Sequence, residues 1–142
     1  MDMRQITPTY FVAPQIEAGD VSEFAALGFT RIICNRPDTE VPPDQQHLAI
    51  KAAAEEAGLE FVYHPLTHTT MTPANIARQN ELAATAKGCV LAYCASGTRC
   101  SVAWALTQAE ALSSDEILAA TASAGYDLGG LRPALDAVRD GS

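Results

Sequence analysis

The chain reads as an α/β domain in three layers, a mostly parallel central sheet flanked by helices. Three observations predict it. Short apolar runs recur at Tyr10–Ala13, Arg31–Asn35, Glu60–His64 and Cys89–Tyr93, each the length of a buried strand. Stretches with helix-start and helix-stop signals separate them. Strands alternating with helices need crossover connections, which set the strands parallel and lay helices over both faces.

Tyr10-Phe-Val-Ala13 opens the sheet. Asp20-Val-Ser-Glu23 has capping-box spacing ahead of Phe24, Ala25 and Leu27, and Gly28 is placed to end that helix. Arg31–Asn35 runs into Arg36-Pro37-Asp38, a turn-rich loop that continues through Pro42 and Pro43. Asp44 is the expected N-cap of a helix carrying Leu48, Ile50, Ala53, Ala54 and Ala57, closed by Gly58. Glu60–His64 stops at Pro65. Thr72-Pro73 gives an N-cap with proline in the first turn, and that helix is expected to reach about Lys87-Gly88. After Cys89–Tyr93, the helix from Cys100 to Leu112 is apolar on nearly every side, as suits one enclosed by other elements. Ser113 or Ser114 caps the next helix, and a last one spans about Leu131 to Val138.

At 142 residues the chain is expected to be one domain, 1–142. A net charge of −8 without any basic tract argues against nucleic acid as a partner. No run approaches transmembrane length, and the N-terminus MDMRQITPTY lacks the apolar core of a signal peptide; a cytoplasmic protein with no membrane partner is expected. The cysteines at 34, 89, 94 and 100 lack zinc-ligand spacing and read as reduced thiols. No metal or cofactor is expected. His64 and His68 are four apart, but in a loop and not on one helix face.

The chemistry concentrates at Cys94-Ala95-Ser96-Gly97-Thr98-Arg99. A strand that feeds a small-residue loop into a helix N-terminus makes an anion site from backbone N–H groups and the helix dipole. Cys94 sits at its centre, where the thiolate is favoured, and Arg99 offers a planar fork of donors. The plainer alternative is an inert buried cysteine at a strand end. Ser101 is read as a hydrogen-bond partner of the thiolate, as a helix cap, or as both. In open sheets ligands bind beyond the carboxyl ends of the strands, so loops 35–43, 64–71 and 94–99 should share one rim. Asn35 and Arg36 are candidate substrate contacts on it, against a bland reading as a turn residue and a solvated arginine. Cys100 and Cys34 are rival redox partners for Cys94. Trp104 and Tyr93 read as core.

Cys94-Ala-Ser-Gly-Thr-Arg-Cys-Ser101, with Cys34-Asn-Arg-Pro-Asp38, Tyr10-Phe-Val and Ala57-Gly-Leu59, resembles the phosphatase-like domain family of beta-lactamase-hydrolase-like proteins, a bacterial family also described as sulfur transferases. The resemblance runs from about Ile6 to Leu135. It implies the fold of the dual-specificity protein tyrosine phosphatases. Some family members are fused to metallo-beta-lactamase-type domains that handle persulfides, which implies thiol or sulfide metabolism and a possible partner enzyme of that type. Related loops often carry arginine directly after the cysteine; here that position is Ala95.

Two counts weigh sulfur transfer against phosphate hydrolysis. Tyrosine-phosphatase loops hold one more residue between cysteine and arginine than the four here, a spacing that matches rhodanese loops, which cradle a persulfide. Cysteine phosphatases also need a carboxylic acid to protonate the leaving alkoxide, yet residues 61–80 contain no Asp or Glu. Asp38 is the rim carboxylate that could substitute, with His68 and His64 weaker candidates. The first expectation is therefore a sulfurtransferase that passes sulfur from a small anionic donor through a Cys94 persulfide to a thiol such as glutathione. The alternatives are a phosphohydrolase acting on a phosphate ester through phospho-cysteine, and a non-catalytic anion-binding or redox-sensing module.

Overall fold

The computed structural model describes residues 2–141. Five strands form one sheet: β1 (Arg4–Gln5), β2 (Tyr10–Ala13), β3 (Phe29–Cys34), β4 (Glu60–Tyr63) and β5 (Cys89–Tyr93). Their spatial order is β1-β2-β5-β3-β4. All neighbours are parallel except β1, which returns antiparallel to β2. The two-residue β1 has no sequence signal of its own; Arg4 pairs opposite Val12 because the turn before Tyr10 folds the chain back.

β5 lies at the middle, with Leu91 opposite Phe11 on one side and Ile32 on the other. Alternation along it sends Val90, Ala92 and Cys94 to one face and Leu91 and Tyr93 to the other. Both faces are covered, which is why its five residues read as a continuous apolar run.

The α-helices among the described residues are α1 (Val21–Ala26), α2 (His47–Glu56), α3 (Pro73–Ala84), α4 (Thr98–Gln108), α5 (Ser114–Ser123) and α6 (Arg132–Arg139). Phe24 of α1 and Ile50 and Ala54 of α2 pack with Ile32, Leu91 and Tyr93 on one face. Leu82, Trp104, Ile117 and Leu135, from α3 to α6, pack with Val12, Val90 and Ala92 on the other. α4 touches α3, α5 and α6, and its Cys100, Ser101, Ala103, Trp104 and Ala105 are all buried. The three-layer expectation holds.

Capping corrects several boundaries. The Asp20 carboxylate accepts from the Glu17 amide at 3.0 Å and so closes the turn before α1 instead of capping α1 itself. Asp44 lies in a single 3-10 turn (Pro43–Gln45), and α2 begins only at His47. Its first amide is capped by Asp38, nine residues upstream, whose Oδ1 accepts from His47 N at 2.8 Å. Leu48 is then turned outward and is exposed. Thr72 caps α3 as expected, accepting from Asn75 N, but α3 ends at Ala84. Ser113 caps α5, with Glu116 completing the box.

Candidate active site

Cys94 follows the last residue of β5, and its amide still donates to Ala13 O of β2 at 3.3 Å. The chain turns at Gly97, where φ is +92°, and α4 starts at Thr98, two residues earlier than the sequence suggests. Only glycine fits there: the left-handed φ disfavours a side chain, and an added Cβ would collide with the Tyr126 hydroxyl. The turn aims Gly97 N–H at Cys94 Sγ, at 3.1 Å.

The Cys94 thiol is pulled down to about 5. The largest cause is a hydrogen bond from the Cys100 thiol, followed among the favourable contributions by the Cys100, Gly97 and Ser96 amides; burial opposes them. Cys100 bears the converse effect: burial, then the neighbouring Cys94 sulfur, pushes its own thiol well above the usual range. It therefore stays protonated in the neutral range. This fixes the roles in the loop. Thr98 N–H turns to Ser96 Oγ at 3.3 Å, so it does not join the amides on the sulfur. The Ser101 hydroxyl donates to Gly97 O at 2.8 Å inside the first turn of α4. The hydrogen bond that the structure gives to Cys94 Sγ comes from Gly97 N–H, not from the serine that the sequence singles out.

Arg99 points across the rim. Its Nη1 and Nη2 donate to Glu40 Oε2 and Oε1 at 2.9 and 2.6 Å, and Nη1 also donates to Leu66 O at 3.0 Å. Loops 35–43, 64–71 and 94–99 do share one rim. Glu40, Thr67, His68, Ala95, Ser96, Thr98 and Arg99 line a cleft of about 360 Å³ there. The Arg99 guanidinium holds the Glu40 carboxyl below its usual range, so Glu40 is a resident anion on Arg99. Glu40 carries no motif signal; only the position of its loop on the rim points to it.

The other candidates separate. Asn35 is fully buried: its amide pairs reciprocally with Gln79, Nδ2 to Oε1 at 2.9 Å and Oδ1 from Nε2 at 2.8 Å, and Nδ2 also reaches His64 O. It ties β3 to α3 and does not face the rim. Gln79 Nε2 also donates to Tyr10 Oη, whose hydroxyl donates to Cys100 O at 3.0 Å, so this network ends under the first turn of α4. His64 gives Nδ1–H to Gln79 Oε1 at 2.9 Å and is likewise turned inward. Arg36 stays on the rim, bonded to Glu40 Oε1 at 3.2 Å and Gln15 Oε1 at 3.4 Å. Asp38 is held by His47 through both carboxylate oxygens. His68 is exposed at the cleft wall. Cys34 packs on the α1/α2 face and donates to Arg36 O, across the sheet from Cys94, so Cys100 is the cysteine that shares a core cluster with Cys94.

Residues 2–111 match the family described as beta-lactamase hydrolase-like protein, phosphatase-like domain. The beta-lactamase hydrolase-like protein of Xylella fastidiosa (strain Temecula1) is 34% identical over 131 residues, covering 91% of this chain. The chain spans only 30% of that relative's length. A Neisseria meningitidis protein, described as a candidate phosphatase, has a crystal structure with a TM-score of 0.85 at 34% identity, covering 96% of this chain and 97% of that one. PTPMT1, solved in complex with PI(5)P, aligns with a TM-score of 0.72 over 96% of both chains; at 16% identity it shows the fold alone, that of the tyrosine phosphatases. Among the described residues no helix is long and apolar enough to cross a membrane. With the family signature spanning most of its length, the chain belongs to the beta-lactamase hydrolase-like family and carries its phosphatase-like domain.

Proposed function

We propose that the domain is a thiolate enzyme in which Cys94 attacks a small anionic group and carries it covalently. The observation that carries this reading is the Cys94 sulfur, with a pKa of about 5, under the Gly97 N–H and beside an arginine-lined cleft. A nucleophile already ionised at neutral pH needs no base.

Within that class the rim favours a sulfane sulfur as the transferred group. The Cys94 thiolate attacks the outer sulfur of a thiosulfate-like donor; the new S–S bond forms as the old one breaks, and sulfite leaves with its electron pair. The thiolate of an acceptor such as glutathione then takes the terminal sulfur and returns Cys94 as thiolate. Both leaving groups are stable anions that need no proton. This suits a rim where Asp38 is bound to His47, Glu40 is ionised on Arg99, and loop 64–71 contains no carboxylate. A persulfide-metabolising enzyme of metallo-beta-lactamase type fits the same proposal as a partner.

The second reading is hydrolysis of a phosphate ester through S-phosphocysteine. The comparisons speak for it more than for sulfur: the family is phosphatase-like, and the near full-length likeness is to a candidate phosphatase. Without a free acid on the rim, that reaction is confined to esters with phenolate-like leaving groups.

Intact-mass measurement after thiosulfate, glutathione persulfide or an aryl phosphate separates the two. A one-sulfur increment that is lost in Cys94→Ser supports sulfur transfer. Brisk aryl phosphate turnover with no sulfur adduct establishes the second reading. No adduct from any donor, together with no aryl phosphate turnover, sinks both and leaves an anion-binding module.

A further inference from the structure

Tyr126 lies just after α5, outside the residues that match the family signature. Its hydroxyl donates to Ser96 O at 3.0 Å. Ser96 O and Gly97 N are the two ends of one peptide unit, and Gly97 N–H donates to Cys94 Sγ at 3.1 Å. The result is a continuous line from phenol O–H through an amide C=O and N–H to the sulfur. We propose that Tyr126 is a positioning residue for the Cys94 nucleophile, acting through the Ser96–Gly97 peptide.

Two effects follow from the geometry. An amide that accepts at its oxygen is polarised and donates more strongly at its nitrogen. The bond also fixes the peptide plane. Gly97 carries no side chain to resist rotation, and a flip would turn a carbonyl oxygen, not an N–H, toward a thiolate. Tyr126 is itself held. Its amide donates to Thr121 O at 2.9 Å. The Arg4 guanidinium lies 5.3 Å from its ring centroid and donates to Ala124 O at 3.3 Å. The missing Cβ at Gly97 is the space that the hydroxyl occupies. Arg4, Asp2, Cys94 and Cys100 are the titratable groups acting on Tyr126, and burial pushes its hydroxyl up, so it stays a donor through the neutral range.

This inference rests on the thiolate reading of Cys94 but not on which group is transferred, so its test uses no substrate. Thiolate absorbance at 240 nm is titrated in the wild type and in Tyr126→Phe, each referenced to its own Cys94→Ser counterpart. Losing one hydrogen-bond relay should raise the midpoint and cut the thiolate fraction below it about two- to tenfold. Far-UV circular dichroism should be unchanged. 3-Fluorotyrosine installed at position 126, a stronger donor of nearly the same size, should move the midpoint the other way. A wild-type midpoint in the ordinary thiol range overturns the thiolate reading itself. A depressed wild-type midpoint that Tyr126→Phe leaves unmoved, with the fold intact, overturns the role of Tyr126 alone. If Tyr126→Phe does not fold, an unmoved midpoint in the fluorotyrosine protein does the same.

Discussion

Asp38 accepts two hydrogen bonds from His47, one from its backbone N at 2.8 Å and one from its ring Nδ1 at 2.6 Å, while the ring lies flat on Tyr63 with centroids 3.8 Å apart. The carboxylate therefore caps α2 and pins the loop that presents Glu40. Asp38→Ala should cost about 1 kcal/mol of stability through the lost cap. Asp38→Asn should leave the Cys94 reaction within a few-fold of wild type. A fall of about 10²–10⁴ in turnover, the usual cost of a lost general acid, would instead place Asp38 in the chemistry. Urea denaturation and single-turnover assays read the two effects separately.

Glu40 occupies the fork of Arg99, so on the proposed reading an anionic substrate competes with it. Glu40→Gln removes the charge and keeps the shape. Binding of inorganic sulfate or thiosulfate, followed by calorimetry, should tighten about ten- to a hundredfold, in line with the ~1.5–3 kcal/mol of a hydrogen bond to a charged group. Weaker binding in this variant would mean that Glu40 holds Arg99 in place for the substrate rather than blocking it.

The Cys100 thiol is the largest favourable influence on Cys94. Cys100→Ala should raise the Cys94 midpoint by about one unit, the ~1.4 kcal/mol expected for one donor to an anion. Cys100→Ser keeps a donor and should recover part of the shift. Equal midpoints for wild type and Cys100→Ala would leave the loop amides as the whole cause.

Ionisation of Cys94 also makes stability depend on pH. The folded thiol has a pKa of about 5, against about 8.5 for an unfolded one, so between these values the unfolded chain binds the extra proton. The contribution is complete above the unfolded value and is lost as pH falls through 5. Across the window it rises with pH by up to ~1.4 kcal/mol per unit. Cys100, shifted upward, acts only at higher pH. Urea midpoints at pH 5.5, 6.5 and 7.5 should climb more steeply in the wild type than in Cys94→Ser; parallel curves would refute the depressed thiol.

The sheet and the loop were legible because they rest on local signals. β5 is an apolar run facing two cores, and Gly97 lies between small residues at a strand–helix junction. Contacts that join distant segments were not. Asp38 caps a helix nine residues away, a distance that no capping pattern encodes, so Asp44 looked the better cap. Asn35 looked like a rim residue because it ends a strand, but its partner Gln79 lies on another element and draws its amide inward. Glu40 and Tyr126 reach the site only through tertiary packing. Cys100 was visible, but its place in the buried first turn of α4 depended on where that helix begins.

β5 is laddered to β2 on one side and β3 on the other, and Cys94 N still bonds to Ala13 O. Amide protons along Leu91–Cys94 should therefore exchange with deuterium only when the whole molecule opens, while the exposed turn at Thr69 and Thr70 exchanges by local fluctuation. The sulfur is thus anchored to the slowest-opening part of the chain and its cleft wall to one of the fastest. Insertions or substitutions at the exposed residues 68–70 can redraw which molecules enter at little thermodynamic cost, whereas any change that shifts the sulfur must first loosen the centre of the sheet.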